Sequence, residues 1–116
     1  MRQAVADRYQ KLIGDIVDAP RVATGAKSSW AQYCIKLPKR SIRDHVIKHL
    51  EASGVPTAIY YPIPMHQQPP YKSFPKSQCG LGVTLDCCSR VLALPMHPYL
   101  DEAQQQYIVS ELRKTL

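Results

Sequence analysis

No stretch of the 116-residue chain approaches the ~20 consecutive apolar residues of a membrane span, and the opening MRQAVADRYQ lacks the apolar centre of a secretory leader. The expectation is a soluble, cytoplasmic protein without a membrane partner. Paired cysteines are also missing. Cys34, Cys79, Cys87 and Cys88 contain no C-x-x-C spacing, and the adjacent Cys87 and Cys88 are poorly suited to bridge each other. Reduced thiols are expected; the alternative, a zinc site drawing on Cys79, Cys87, Cys88 and a histidine, lacks the closely paired ligands that tetrahedral sites use. Basic clusters are scarce too. Fifteen Lys and Arg against nine Asp and Glu give a net charge of +6, but the densest basic run is only Lys36, Lys39, Arg40 and Arg43. Spread charge of this kind favours solubility over a phosphate-tracking surface, so no nucleic-acid partner is expected. Gly25, Ala26, Lys27 and Ser28 echo the end of a phosphate-binding P-loop, yet the glycine directly before the lysine is absent and a strand follows where a helix is required.

What is present fits one domain, long enough to bury roughly two-thirds of its unfolded surface. From Arg2 to Val17 the apolar residues Val5, Tyr9, Leu12, Ile13 and Ile16 form one helical stripe. No capping residue precedes Asp7, so this helix reads as cut from something longer. Asp18 to Ser29 reads as a connection. Trp30 to Leu37 alternates as a strand, with Ala31, Tyr33, Ile35 and Leu37 on one face and Trp30, Gln32, Cys34 and Lys36 on the other. A second helix is framed by Ser41 as N-cap, with Asp44 three residues on, and by Gly54 and Pro56 as stops. Ile42, Val46 and Leu50 form its apolar side. His45 and His49 lie one turn apart on it, a spacing that can hold a metal but without the glutamate of H-E-x-x-H or a third ligand, which makes solvated surface the plainer reading.

Val55 to Tyr61 reads as a second strand, residues 72–84 as irregular, Leu85 to Arg90 as a short helix, and Arg90 to Leu94 as a buried strand closed by Pro95. Asp101, with Gln104 at the third helical position, starts a last helix whose apolar side is Ile108, Val109, Leu112 and Leu116. The order predicts an α+β fold: a small three-stranded, mainly antiparallel sheet with helices on one face.

The chain is organised around Gly54 to Tyr71, GVPTAIYYPIPMHQQPPY, which holds three tyrosines, five prolines, a histidine and two glutamines. Prolines fix φ and remove donors while the aromatic, imidazole and amide groups stay available to a partner, so the segment is built as a stiff recognition loop. Met96 to Leu100 repeats its Pro, His and Tyr usage in miniature.

Three segments, WAQY at Trp30 to Tyr33, GVPTAIYYPIPMHQQPPY, and VLALPMHPYL before the last helix, together resemble the C-terminal small domain of the DegT/DnrJ/EryC1/StrS family of sugar aminotransferases, which depend on pyridoxal phosphate (PLP). The likeness runs over the whole chain, residues 1–116. It implies an enzyme in which PLP, held on a lysine of a large N-terminal domain, carries an amino group to the keto group of a nucleotide-linked sugar, in a homodimer. That large domain is not in this sequence, and none of the eight lysines lies in a Schiff-base motif of the family, so no catalytic residue is assigned and no PLP binding is expected of this chain alone. Carried over by position, Tyr61 hydrogen-bonds the sugar, Tyr60 lines the wall or else packs under the loop, and His66 meets polar or phosphate groups or else lies free on the surface. The pattern departs from the family at Gly82 and Leu85, where a Pro and a Glu are common. A non-enzymatic module that uses the same loop for a nucleotide sugar or a protein partner is the competing reading.

Overall fold

The computed structural model describes all residues 1–116. Helix α1 (Arg2–Ile13) leads through a long connection to strand β1 (Tyr33–Lys36), and a 3₁₀ turn (Arg40–Ile42) runs into helix α2 (Arg43–Ala52). Two further 3₁₀ turns (Met65–Gln67 and Pro69–Tyr71) precede helix α3 (Gly82–Arg90), which passes directly into strand β2 (Val91–Leu94) before helix α4 (Glu102–Arg113).

The architecture is α+β as expected, but the sheet has two strands rather than three. β1 and β2 pair antiparallel, Tyr33 opposite Leu94 and Ile35 opposite Leu92. The strand expected at Val55 to Tyr61 contributes one bridge, Ala58 to Ala93, made by Ala93 N–H to the Ala58 carbonyl at 2.7 Å and by the reverse bond at 3.3 Å. Pro56 and Pro62 bracket that bridge, and each removes a donor that a longer ladder needs. On the opposite edge, Asp18 bridges Lys36 in the same isolated way.

Helix ends explain two other departures. α1 stops at Ile13, four residues short, because Gly14 is a weak helix former and the chain tightens there into turns, with Ile16 and Val17 both donating to the Ile13 carbonyl. Ser41 caps nothing: the chain is already helical at Ile42, so Ser41 lies inside the preceding 3₁₀ turn. The stop at Gly54 holds. With φ at +72°, Gly54 donates to the Glu51 carbonyl at 3.0 Å and Val55 to that of Leu50 at 2.8 Å, a double bond pattern that satisfies the last carbonyls of α2. At α4 the expected box forms in full: Asp101 accepts from Gln104 N–H at 2.7 Å while the Gln104 side chain accepts from Asp101 N–H at 3.2 Å, worth ~1 kcal/mol.

Tyr33, Ile35, Leu92 and Leu94 point from one face of the sheet into a core with Val5, Tyr9 and Ile13 of α1, Val46 and Leu50 of α2, and Ile108, Val109 and Leu112 of α4. α4 packs against α1 and α2. Leu116, expected on the apolar side of α4, is exposed. Trp30 and Ala31 exchange roles: Trp30 takes φ +49° and turns inward, stacking 5.7 Å from Tyr33 and donating from Nε1 to Gln3 Oε1 at 2.9 Å, while Ala31 faces out. The left-handed backbone costs about 1–2 kcal/mol for a residue with a Cβ, which burial of the indole offsets.

Between Tyr60 and Arg90 no residue belongs to this core. The segment stands off the helical body as an arm. The Cα radius of gyration is 15.5 Å, where a compact chain of this size has about 13 Å. The arm is anchored at its far end, where Arg43 donates to the Cys88 carbonyl at 2.7 Å and Arg90 to that of Pro38 at 3.0 Å and also pairs with Asp86.

Candidate functional site

The recognition segment leaves the core at Val55, which is buried, and reaches the surface at Tyr60 and Tyr61. The Tyr60–Tyr61 peptide bond is cis. The two rings meet edge to face with centroids 5.6 Å apart, Tyr60 41% exposed and Tyr61 66%. Tyr60 lines a cleft of about 250 Å³ with Ala31, Gln32, Ala58, Pro95 and Met96. Tyr61 stands outside that cleft.

His66, half-buried in the 3₁₀ turn Met65–Gln67, lines a second cleft of about 400 Å³ with Met65, Tyr71, Phe74, Leu81 and Thr84. The structure therefore brings Tyr60 and Tyr61 together and places His66 at a separate cleft on the same arm. Gln32 and Met96 of the first cleft were not singled out from sequence, although each lies in a segment that carries the family resemblance; their signal is that those segments converge on Tyr60.

The electrostatics of the segment are one-sided. From Ala52 to Leu85 there is no Asp or Glu, while His66, Lys72 and Lys76 supply basic groups, both lysines exposed. Phenol and imidazole groups here can donate and accept hydrogen bonds and stack on a ring, and no carboxylate repels an anionic ligand. PLP does not fit the residues present. It needs a lysine amine inside its pocket, and neither cleft has one; Lys36, in a shallow cleft elsewhere, is held by Asp18 at 2.9 Å.

The other candidates are placed differently. His49, expected at the solvated surface, is half-buried, its Nε2 2.9 Å from Glu111 Oε2, while His45 is exposed. Glu111 also accepts from Ser53 Oγ at 3.1 Å and from Lys114 Nζ at 2.5 Å. The Lys114 hydrogen bond, aided by those from His49 and Ser53, holds its carboxyl below the usual range. All four cysteines are free, burial pushes the Cys34 thiol up, and no three His, Cys, Asp or Glu side chains gather in a metal-binding group. No helix is long and apolar enough to cross a membrane.

The sequence model of the DegT/DnrJ/EryC1/StrS aminotransferase family matches residues 1–113. The chain belongs to this family. It is 34% identical over 113 residues to a UDP-2-acetamido-2-deoxy-3-oxo-D-glucuronate aminotransferase of Pseudomonas aeruginosa, covering 97% of this chain and 30% of that protein. A pleiotropic regulatory protein of Geobacillus stearothermophilus is 35% identical over 103 residues, 89% of this chain and 27% of that one. Among solved structures, a DegT DnrJ EryC1 StrS aminotransferase from Brucella abortus superposes with a TM-score of 0.89 at 41% identity, over 97% of this chain and 30% of that one. The chain thus spans about three-tenths of the length of the relatives it matches. The family is PLP-dependent, and its members include enzymes that act on nucleotide-linked sugars.

Proposed function

We propose that this chain is the C-terminal small domain of a cytoplasmic aminotransferase acting on a nucleotide-linked keto sugar. Its role is to position substrate rather than to perform the transfer. The observation that carries this reading is the Tyr60–Tyr61 pair: two exposed phenols meeting edge to face, Tyr60 lining a cleft and Tyr61 beside it, on a segment free of carboxylates. Tyr61 hydrogen-bonds the sugar, Tyr60 forms the wall beside Gln32 and Met96, and His66 takes a polar or phosphate group. PLP supplies the electron sink in the complete, homodimeric enzyme, bound by residues of an N-terminal domain.

Two measurements test this. Mixed with PLP, the 116-residue chain gives no internal-aldimine absorbance; a stable lysine adduct overturns the assignment of the cofactor to another domain. In a complete enzyme carrying this domain, Tyr61→Phe removes one neutral hydrogen bond worth ~1 kcal/mol, so KM for the nucleotide sugar rises about fivefold with kcat largely kept. Unchanged kinetics make the loop a packing element only.

A further inference from the structure

The cleft beside Tyr60 is polar without being charged. No Asp, Glu, Lys, Arg or His lines it; hydrogen bonding falls to Gln32, Thr57 and Tyr60, over an apolar floor that includes Ala58, Ala93 and Met96.

Size and charge decide what enters. At about 250 Å³ the cleft falls short of the roughly 300–1,000 Å³ that encloses a drug-sized ligand, so it receives one part of a sugar rather than a whole nucleotide. An ionised group desolvated there would meet no counter-charge, which is costly. Phosphates, the carboxylates of an amino-acid donor and a protonated amine are therefore disfavoured, and the occupant is a neutral substituent.

Gln32 narrows the choice. It is exposed, its amide oxygen is approached by Cys34 Sγ at 3.9 Å, and its amide NH2 donates to no protein group. A primary amide with free donors pairs reciprocally with a second amide, donating to its carbonyl and accepting from its N–H. Below it, the Ala58–Ala93 bridge sets two one-carbon side chains side by side, and Met96 adds a thioether that adapts to small apolar shapes. An acetamido group offers what this lining complements: a carbonyl, an N–H and a methyl. A hydroxyl has no apolar part for the floor, and a methyl alone leaves the amide of Gln32 unused.

From these observations we infer that the Tyr60 cleft receives the N-acyl substituent of an acylated amino sugar, and that Gln32 is the residue that selects it. The inference rests on the proposed role of the Tyr60–Tyr61 segment and adds the class of sugar that segment serves.

The test uses three probes that differ only at the second carbon of the sugar: UDP-N-acetylglucosamine, UDP-glucose and UDP-glucosamine. Each is titrated into the 116-residue chain and followed by NMR at Tyr60, Tyr61 and the side-chain amide of Gln32. UDP-N-acetylglucosamine binds about fivefold more tightly than UDP-glucose and shifts the Gln32 amide signal, while UDP-glucosamine binds no better than UDP-glucose. Gln32→Ala, at an exposed position, raises the Kd for the acetylated probe about fivefold, the loss of one neutral hydrogen bond, and that for UDP-glucose less than twofold. Gln32→Glu, which keeps the shape but lacks the NH2 donors, removes the preference as well. In a complete enzyme carrying this domain, Gln32→Ala raises KM for an N-acetylated keto sugar about fivefold, with kcat kept and KM for the amino donor unchanged.

Equal affinity for the three probes overturns the inference. So does a Gln32→Ala variant that weakens all of them alike, or a Gln32 amide signal that stays still while those of Tyr60 and Tyr61 move. Each of these outcomes leaves the proposed function standing. Probes that move none of the three residues overturn the inference together with the sugar-facing role of Tyr60 and Tyr61 on which it rests.

Discussion

The helical body and the arm use their aromatic and polar residues in opposite ways. In the body, Tyr9 is fully buried, its ring 4.8 Å from that of Tyr33 and its hydroxyl bonded to the Pro95 carbonyl at 2.9 Å. Burial, with Tyr33 beside it, pushes its phenol far above the ordinary range, and burial alone raises that of Tyr33 to about 12. In the arm, Tyr60, Tyr61 and Tyr71 lie open to solvent. The body obtains rigidity from packing, whereas the arm obtains what it has from Pro62, Pro64, Pro69, Pro70 and Pro75 and from short 3₁₀ turns. A segment stiffened in this way can keep its apolar and hydrogen-bonding groups for a partner, because its own fold does not consume them.

The largest expected effect probes that contrast directly. Leu50 is fully buried at the junction of α2 with the core, so Leu50→Ala removes about 2–5 kcal/mol of stability in urea unfolding. Phe74→Ala deletes a larger side chain but one without core contacts, and changes stability by less than about 0.5 kcal/mol. Similar costs at the two positions would mean that the arm is part of the folding unit, and the contrast would fail.

A smaller effect sharpens what holds the body together. Gln105 is fully buried, donates to the Val5 carbonyl at 2.9 Å and accepts from Arg8 Nε at 2.5 Å, while Arg8 also donates to the Leu100 carbonyl at 2.7 Å. Gln105→Leu fills the space but strands a buried carbonyl and a guanidinium N–H, at about 1–3 kcal/mol. Differential unfolding of the variant locates the loss between α1 and α4. A neutral or stabilising result would show that apolar packing alone joins those helices.

The same division governs what could be read from sequence. Periodicity located α1, α2, β1 and α4, and a short apolar run closed by Pro95 located β2, since each carries a local pattern that tertiary contacts reinforce. The box at Asp101 and Gln104 was legible for the same reason: both partners lie within one turn. The polar ties were not, because Arg8 to Gln105 spans 97 residues and His49 to Glu111 spans 62, and no local spacing encodes such pairs. Trp30 misled for a backbone reason, its positive φ breaking the alternation that its side chain suggested. Val55 to Tyr61 has strand composition, but composition does not reveal how few donors remain once prolines bracket the run. Within the site, the segment and its tyrosines stood out by residue type, while Gln32 and Met96 emerged only when β1, the Ala58 bridge and the end of β2 came together.

Acid provides the finest probe of the two regions, because the arm has no carboxylate before Asp86 near its far end. Glu111 is held below its ordinary value of 4.5 first by Lys114 and then by His49 and Ser53; Asp18 and Asp86 are lowered mainly by their hydrogen bonds to Lys36 and Arg90. A depressed folded-state value means that the unfolded chain binds the proton more readily. The contribution of each group is therefore complete above its unfolded value and is lost as pH falls through the lower folded one. Stability measured by urea unfolding should stay level from pH 7 to about 5 on account of these groups, then decline through the region below 4.5. Asp18 and Asp86 are about half exposed and add little, so Glu111, almost buried between α2 and α4, sets most of the slope. Glu111→Gln lowers stability at pH 7 and flattens the acid decline, whereas Lys72→Gln in the arm leaves the profile unchanged. An acid slope that survives Glu111→Gln intact would shift the origin of the pH dependence away from the α2–α4 contact.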